Sequence, residues 1–232
     1  MSTKKIKVNY GRNFLYLDPI YSYFIKKKRL EIFNILKKNF KLNKLTKILD
    51  VGTTPSLKPH ENVILNNIKW KENISCLSNQ NLGKLRNKYP LISFFQGDGK
   101  KMNFKKNKFD IVFSSATVEH VGSFKNQIKF VSECFRVCKY ITIITTPNRN
   151  YPIDFHTRLP LIHLLPKKIY RSILVFFGEH YLSQERNLNL LTENDLINIC
   201  RLNKINNFKI IKIKLFFLVS NLVLIIRKKK LN

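Results

Sequence analysis

Cysteine is scarce in this chain, and the spacing of the few cysteines excludes common metal and disulfide frameworks. The 232 residues include Cys76, Cys134, Cys138 and Cys200, and no pair has the C-x-x-C spacing of a zinc site or a redox dithiol. A chain of this length also buries a core large enough to be stable without cross-links. We therefore predict reduced, mostly buried thiols.

Glycine is scarce too, which argues against a phosphate-binding loop. Only 7 glycines occur, and neither G-x-G-x-x-G nor G-x-x-x-x-G-K-[S/T] is present. After the first predicted strand, Gly52 is followed by Thr53-Thr54-Pro55, whose side chains would crowd a pyrophosphate. Sites for NAD, FAD and P-loop nucleotides are therefore disfavoured.

Acidic residues are few, so the chain is strongly basic. There are 14 Asp and Glu against 43 Lys and Arg, a formal charge of +29 that attracts polyanions and anionic membrane surfaces. Lysine supplies 33 of the basic residues, asparagine occurs 26 times and alanine once. This composition is typical of A/T-rich codons, which place lysine on every solvated face. The charge is therefore weak evidence for a nucleic-acid partner.

Long apolar runs and a secretory leader are both missing. The longest uncharged apolar run, Leu215 to Ile226, has 12 residues and includes Ser220-Asn221, whereas a membrane-spanning helix needs about 20. The N-terminal segment lacks the apolar stretch and small-residue cleavage site of a signal peptide. We expect a cytoplasmic protein.

Short apolar segments alternate with amphipathic ones, which predicts an α/β fold. The last two strands are separated by too few residues for a helical crossover and are therefore antiparallel. We predict a doubly wound, seven-stranded, mostly parallel sheet of Rossmann-like type with a C-terminal antiparallel hairpin. The predicted strands are Lys47–Gly52, Ile74–Leu77, Leu91–Phe95, Phe109–Ser114, Tyr140–Thr145, Phe208–Leu215 and Leu222–Ile226.

The chain is predicted to form a single domain over residues 1–232. Residues 1–45 form a helical extension, since apolar residues recur at helical spacing between lysine clusters. Residues 147–190, rich in Pro, His and aromatic residues, interrupt the strand–helix alternation, and we interpret them as a cap over the site. Within the cap, Pro166–Phe177 predicts an amphipathic helix that packs on its own domain, lies on a membrane surface or meets a partner.

Polar residues and glycines follow the first and third predicted strands. In an open α/β sheet the ligand binds beyond the carboxyl ends of the strands, beside the first strand, which here is followed by Gly52–Pro55. Gln96-Gly97-Asp98-Gly99 follows the third strand; its carboxylate can accept a hydrogen bond from an exocyclic amino group, and its glycines let an adenine approach the backbone. These features favour a nucleoside ligand without phosphates.

Four motifs in series complete this pattern. They are Ile48-Leu49-Asp50-Val51-Gly52, Gly97-Asp98-Gly99, Phe109–Gly122 and Ile141–Asn148. With them, the stretch from Lys47 to Arg227 resembles the class I S-adenosylmethionine-dependent methyltransferases, in particular the methyltransferase type 11 group. The resemblance implies S-adenosylmethionine as the cofactor and methyl transfer as the reaction.

The resemblance also implies which residues bind the cofactor. Ser78 stands where the family usually has an acidic residue for the ribose hydroxyls, so it or Asn79 would bind the diol without charge assistance. The remaining matches are Asp50, Gly52 and Thr53 in the first loop, Asp98 and Gly99 at the adenine, and Ser114 and Ser115 beside the methylsulfonium.

Glu119 and His120, which follow the fourth strand, are the predicted catalytic residues. His120 is a candidate general base because imidazole titrates near neutrality. Alternatively, His120 packs against or orients the local helix. Glu119 is an equal candidate for the base, or it holds the cofactor's ammonium group or forms a local salt bridge.

The cap gathers further ionisable residues. Asp154, His156 and Arg158 lie close together in sequence, followed by His163. We predict that His156 and Arg158 contact the substrate, with loop-stabilising hydrogen bonds as the alternative. Carboxylate and imidazole are both metal ligands, but their spacing matches no closed ligand set, and no metal is predicted.

The predicted acceptor is a small molecule, a sugar or a lipid intermediate, and transient contact with a membrane surface stays open. A non-catalytic S-adenosylmethionine-binding module and a basic RNA-associated methyltransferase are the alternatives. Ser114-Ser115-Ala116-Thr117 stands where amine-directed DNA and RNA enzymes carry an (Asn/Asp)-Pro-Pro-(Tyr/Phe) motif. Nucleic acid is therefore disfavoured, although ribose and phosphate-linked targets stay open.

Overall fold

A seven-stranded sheet forms the centre of the molecule, which is described by a computed structural model over residues 18–58 and 61–228. The strand order is β3-β2-β1-β4-β5-β7-β6. The strands are β1 (Ile48–Val51), β2 (Ile74–Ser78), β3 (Ser93–Gln96), β4 (Phe109–Ser115), β5 (Cys138–Pro147), β6 (Phe208–Leu215) and β7 (Leu218–Arg227). Strands β1 to β5 are parallel, and β7 is antiparallel to both β5 and β6. The predicted sheet and its terminal hairpin are confirmed.

Helices cover both faces of the sheet. They are α1 (Asp18–Asn39), α2 (Val63–Asn67), α3 (Gly83–Lys88) and α4 (Phe124–Val137), together with the last helix, Glu193–Leu202. Helix α5 (Lys167–Phe176) packs within residues 147–190 instead, the helix Glu193–Leu202 is α6, and 3-10 turns lie at Val118–His120 and Ile162–Leu164. None of these described helices combines the length and apolar composition needed to cross a bilayer. The first 17 residues of the predicted helical extension, and a helix start that the sequence predicts at Pro59-His60, lie outside the described residues.

The buried strand β1 shows how the two layers form. Leu49 and Val51 point to the face covered by α4 and α6, whereas Ile48 points to the face covered by α1, α2 and α3. Since successive side chains of a strand alternate, a strand covered on both faces must be apolar throughout, apart from functional positions. Asp50, also buried, is that exception in β1. The four cysteines are free and buried, as predicted.

The terminal hairpin is tighter than the sequence predicts. Strand β7 begins at Leu218, so only Phe216 and Phe217 connect it to β6. Both have positive φ angles, +49° and +67°. A two-residue hairpin turn requires this backbone, which Asn-Gly or Gly-Gly normally provides. Because phenylalanine rarely adopts it, the predicted strand bounds leave a six-residue link over residues 216–221, whereas the last four of these residues belong to β7.

Candidate active site

Parallel strands bring the predicted cofactor residues to one edge of the sheet. Strand β1 lies between β2 and β4, and Asp50 is paired with Cys76 on one side and Phe113 on the other. Ser78 at the end of β2 is paired with Gln96 at the end of β3. The carboxyl ends of β1 to β4 therefore meet where the strand order reverses, which is the ligand-binding position of open α/β sheets.

The loop after β1 is built around the buried carboxyl group of Asp50. Thr53 Oγ1 lies 3.1 Å from Asp50 Oδ2 and 3.2 Å from the Asp50 carbonyl oxygen, and both residues are buried. Burial raises the pKa of Asp50 to about 7, although the hydrogen bond from Thr53 lowers it. Asp50 is therefore a partly protonated group beneath the loop at neutral pH.

The same loop turns at Gly52, whose φ is +90°. A Cβ atom at this position would lie 2.1 Å from Thr117 Oγ1, in the segment that follows β4. Gly52 thus lets the loops after β1 and β4 approach each other. The shape of the predicted cofactor edge depends on this contact.

The raised pKa of Asp50 predicts a pH dependence of stability. Between about pH 4 and about pH 7 the folded chain keeps a proton on Asp50 that the unfolded chain releases. This group therefore lowers the free energy of unfolding as the pH rises through that window. Asp50→Asn, which cannot ionise, is expected to exceed the parent in stability by about 1–3 kcal/mol at pH 8 and to match it near pH 4. Urea unfolding of both proteins at pH 4 and pH 8 measures this difference in stability. An equal difference at the two pH values would contradict the raised pKa of Asp50.

The ends of β2 and β3 present one buried hydroxyl and one exposed carboxylate. Ser78 is buried, and its Oγ accepts a hydrogen bond from the Gln80 N–H at 3.2 Å. Asp98 is 53% exposed and is paired with Lys100 Nζ at 3.1 Å. Its exposure leaves the Asp98 carboxylate accessible to a ligand, whereas Ser78 needs a local adjustment to reach one.

Gly99 lies against helix α4. A Cβ atom there would lie 2.6 Å from Phe130 Cε2 and 3.2 Å from Val51 Cγ1. The absence of a side chain at Gly99 therefore has a packing cause, and its predicted adenine contact stays a prediction.

The end of β4 carries two serines with different surroundings. Ser115 Oγ lies 3.2 Å from Thr145 Oγ1 of β5. Ser114 is fully buried, and its Oγ has no hydrogen-bond partner among the described residues. Ala116, which follows, is exposed and has a φ of +49°. Left-handed backbone at a non-glycine residue is uncommon and concentrates at functional sites.

Three ionisable side chains meet directly beyond β4, and we call Glu119, His120 and His156 the Glu–His cluster. The 3-10 turn after β4 places Glu119 and His120, and the cap supplies His156. His156 Nε2 lies 3.1 Å from His120 Nε2 and 3.9 Å from Glu119 Oε1. Glu119 Oε2 accepts a hydrogen bond from Thr146 Oγ1 of β5 at 3.1 Å. The structure thus joins two predicted catalytic residues and one predicted substrate residue in one group.

Burial and mutual charge set the protonation of the Glu–His cluster. Burial, and then the charge of His156, lower the pKa of His120 to about 3. Burial raises the pKa of Glu119 to about 7, against a lowering by His156. Burial also lowers the pKa of His156, but the hydrogen bond and charge of Asp154 outweigh it, so the net pKa is raised.

Asp154 holds His156 in place. Its Oδ1 accepts hydrogen bonds from His156 N at 3.0 Å and from His156 Nδ1 at 3.1 Å. Its Oδ2 accepts from Thr157 Oγ1 and from Tyr170 Oη of α5, both at 2.8 Å. Burial raises the pKa of Asp154, but the contacts with His156 and Thr157 outweigh burial and leave it below its usual range. Asp154 is therefore an ionised anchor that links the cap helix to the cluster.

Arg158, the other predicted substrate residue, sits at a turn of the cap. Its φ is +59°, and its N–H donates to the Asp154 carbonyl at 2.7 Å. The sequence did not predict the link between Asp154 and Tyr170, or that Asn187 O lies 2.7 Å from His120 Nδ1. These residues are far apart in the chain, and the acid and histidine at positions 154 and 156 were the only available signal.

A protein-family model matches part of this chain. The family model described as a methyltransferase domain matches residues 70–141, the stretch that contains β2, β3 and β4 and the first two cluster residues. Over this stretch the chain is similar to methyltransferase domains. No curated protein sequence matches the chain at a significant level.

Solved methyltransferase structures share this fold at low sequence identity. A Burkholderia thailandensis 1,6-didemethyltoxoflavin-N1-methyltransferase has a TM-score of 0.59 and 10% identity over 94% of this chain and 86% of its own. An Aquifex aeolicus S-adenosylmethionine-dependent methyltransferase has a TM-score of 0.55 and 15% identity, covering 90% and 97%. A Haemonchus contortus phosphoethanolamine N-methyltransferase has a TM-score of 0.54 and 17% identity, covering 78% and 38%. At these identities the likeness concerns the methyltransferase fold.

Proposed function

We propose that the chain transfers a methyl group from S-adenosylmethionine to a small molecule, a sugar or a lipid intermediate. The observation that carries this proposal is the position of the Glu–His cluster directly beyond β4, beside the strand ends that gather the predicted cofactor residues. Two structures of the same fold support a small acceptor. The Burkholderia enzyme holds 1,6-didemethyltoxoflavin and the Haemonchus enzyme phosphomonomethylethanolamine, each together with S-adenosylhomocysteine.

The polar groups at the strand ends fit this cofactor. Asp98 offers an exposed carboxylate beyond β3, and Ser114 Oγ at the end of β4 has no hydrogen-bond partner in the described part of the chain. The exposed carboxylate of Asp98 suits a cationic nucleoside better than a phosphate anion. The bound cofactor would supply a methyl group already activated by its sulfonium, so the chain has to align the acceptor and exclude water.

We assign proton transfer from the acceptor to Glu119, with His120 as a neutral hydrogen-bonding group beside it, because burial lowers the pKa of His120 to about 3. Glu119 Oε1 is fully buried and has no hydrogen-bond partner among the described residues, so it can accept a proton from a bound hydroxyl or amine. His120 is held in orientation by Asn187 O at 2.7 Å. In this proposal His156 and Arg158, which belong to the cap, contact the acceptor.

Titration calorimetry with S-adenosylmethionine and with its demethylated product tests the cofactor. We expect both to bind with one-to-one stoichiometry. Failure of both would overturn the proposal. Binding of both without turnover on any hydroxyl, amine or thiol acceptor would favour a non-catalytic binding module instead.

Asp98→Ala tests the adenine contact. Loss of a hydrogen bond to a charged group is expected to weaken binding of the cofactor product by about tenfold to a hundredfold. Asp110→Ala is the matched control, because Asp110 lies near the amino end of β4 and accepts from the Lys47 N–H at 2.9 Å, away from the strand ends of the site. Equal affinity of Asp98→Ala and the parent, measured by calorimetry, would remove Asp98 from the cofactor site.

A further inference from the structure

Three potential ligand atoms converge in the Glu–His cluster. They are Glu119 Oε1, His120 Nε2 and His156 Nε2, and all three side chains offer ligand atoms within 4.8 Å of one another. Glu119 is fully buried, its Oε1 has no hydrogen-bond partner in the described chain, and the His156 side chain is only 11% exposed. A buried carboxylate oxygen in this state costs free energy unless a positive charge lies beside it.

The hydrogen bonds on the far side of each imidazole show what its Nε2 presents to the cluster. His120 Nδ1 lies 2.7 Å from the carbonyl oxygen of Asn187, and a carbonyl only accepts, so Nδ1 carries the hydrogen. His156 Nδ1 faces the Asp154 carboxylate at 3.1 Å and carries its hydrogen for the same reason. In the neutral form both Nε2 atoms therefore present lone pairs to each other across 3.1 Å. At this separation the two nitrogens share either a proton carried by His156 or a cation that also meets the Glu119 oxygen.

We propose that Glu119, His120 and His156 bind a divalent first-row transition-metal ion, with Zn²⁺ the best match. Zinc–nitrogen and zinc–oxygen bonds of about 2.0–2.2 Å place neighbouring tetrahedral ligands about 3.3–3.5 Å apart. The two separations from His156 Nε2, 3.1 Å and 3.9 Å, bracket that spacing, and the ligand atoms of Glu119 and His120 lie within 4.8 Å of each other. Two imidazoles with one carboxylate favour such an ion over Mg²⁺ or Ca²⁺, which prefer oxygen ligands.

The hydrogen bonds around the Glu–His cluster are of the kind that support metal ligands. Metal-bound histidines donate their other N–H to a carboxylate or a backbone carbonyl, which fixes the tautomer and aims the lone pair. Asp154 does this for His156, and Asn187 O does it for His120. Thr146 Oγ1 donates to Glu119 Oε2, which leaves Oε1 for the ion.

This inference goes beyond the proposed methyl transfer and does not depend on it. Three protein ligands leave a fourth position for water or an acceptor oxygen, which is the pattern of zinc sites that bind a substrate. With the ion bound, Glu119 and His120 would act as its ligands and not as proton acceptors, and a proton lost by the acceptor would pass to solvent water. The spacing of residues 119, 120 and 156 matches no closed ligand set in the sequence, because only the cap brings His156 to the other two.

Titration of the untagged, chelator-treated full chain with Co²⁺ and with Zn²⁺ tests the site. We expect one equivalent of Co²⁺ with the visible absorption of a four- or five-coordinate ion, displaced by Zn²⁺. Glu119→Gln, His120→Gln and His156→Gln should each weaken binding at least about a hundredfold, and Asp154→Asn about tenfold to a hundredfold. His180→Ala, which removes an exposed histidine, should bind as the parent does.

Several outcomes would overturn the proposal. They are no binding to the parent, a sulfur-to-cobalt charge-transfer band that shows cysteine ligation, or unchanged affinity in all three ligand variants. Circular dichroism shows whether each variant is folded. Where a variant does not fold, the titration of the parent protein still shows whether the metal binds. Calorimetry with S-adenosylmethionine on the same protein keeps a failure of the metal site distinct from a failure of methyl transfer.

Discussion

Gly52→Ala is expected to lower the free energy of unfolding by about 2–5 kcal/mol. Two costs add at this position. A φ of +90° is unfavourable for a residue with a Cβ, at about 1–2 kcal/mol. The new Cβ would also lie 2.1 Å from Thr117 Oγ1, and relief of such overpacking costs about 1–3 kcal/mol. Cofactor affinity should fall with stability, because the displaced loop is the one that follows β1.

Gly178→Ala separates the two costs. Gly178 has a φ of +77°, and an added Cβ would meet nothing within 4 Å. Its substitution therefore reports the backbone cost alone, about 1–2 kcal/mol in urea unfolding. The double variant Gly52→Ala/Thr117→Ala should recover only part of the overpacking loss, because the Thr117 Cβ would still lie 2.8 Å from the new Cβ. If Gly52→Ala costs no more than Gly178→Ala, the close approach of the loops after β1 and β4 is wrong.

The strands and their direction could be predicted because the causes are local. Strand β1 is apolar at Ile48, Leu49 and Val51 since both faces of the sheet are covered, and the apolar, β-branched run of β5 has the same cause. The antiparallel hairpin follows from the short distance between its strands. The turn at Phe216–Phe217 could not be predicted, because cross-strand pairing imposes a backbone that phenylalanine rarely adopts.

The Glu–His cluster could be predicted only in part. Glu119 and His120 stand out because they follow β4, where ligands of this fold bind. Their partner His156 is separated from them by α4, β5 and the start of the cap, and no sequence spacing encodes that contact. The anchoring of His156 by Asp154 and Tyr170 depends on how the cap folds, which is a tertiary property. The sequence therefore identifies residues from both parts of the site, His156 included, but not the contact between them.

Asp154→Ala is expected to have the other large effect, a loss of about 3–5 kcal/mol in the free energy of unfolding. Asp154 is 3% exposed and accepts hydrogen bonds from His156, Thr157 and Tyr170. Its removal takes away the nearer counter-ion of His156, leaving only Glu119 Oε1 at 3.9 Å, and leaves several buried donors without an acceptor. Removal of one partner of a buried charged pair is far more costly than loss of a single hydrogen bond, which is about 1 kcal/mol.

Two milder variants show whether charge or hydrogen bonding dominates at Asp154. Tyr170→Phe removes only the Tyr170 Oη donor and should cost about 1 kcal/mol. Asp154→Asn keeps the shape of the side chain but removes its charge. Its loss in the free energy of unfolding should therefore lie between those of Asp154→Ala and Tyr170→Phe. Urea unfolding gives the three values, and limited proteolysis at Arg158 reports whether the cap opens before the sheet. A loss below about 1 kcal/mol for Asp154→Ala would mean that the cap is held mainly by its apolar contacts around Leu174 and Leu188, and the Asp154–His156 pair would then serve the site rather than the fold.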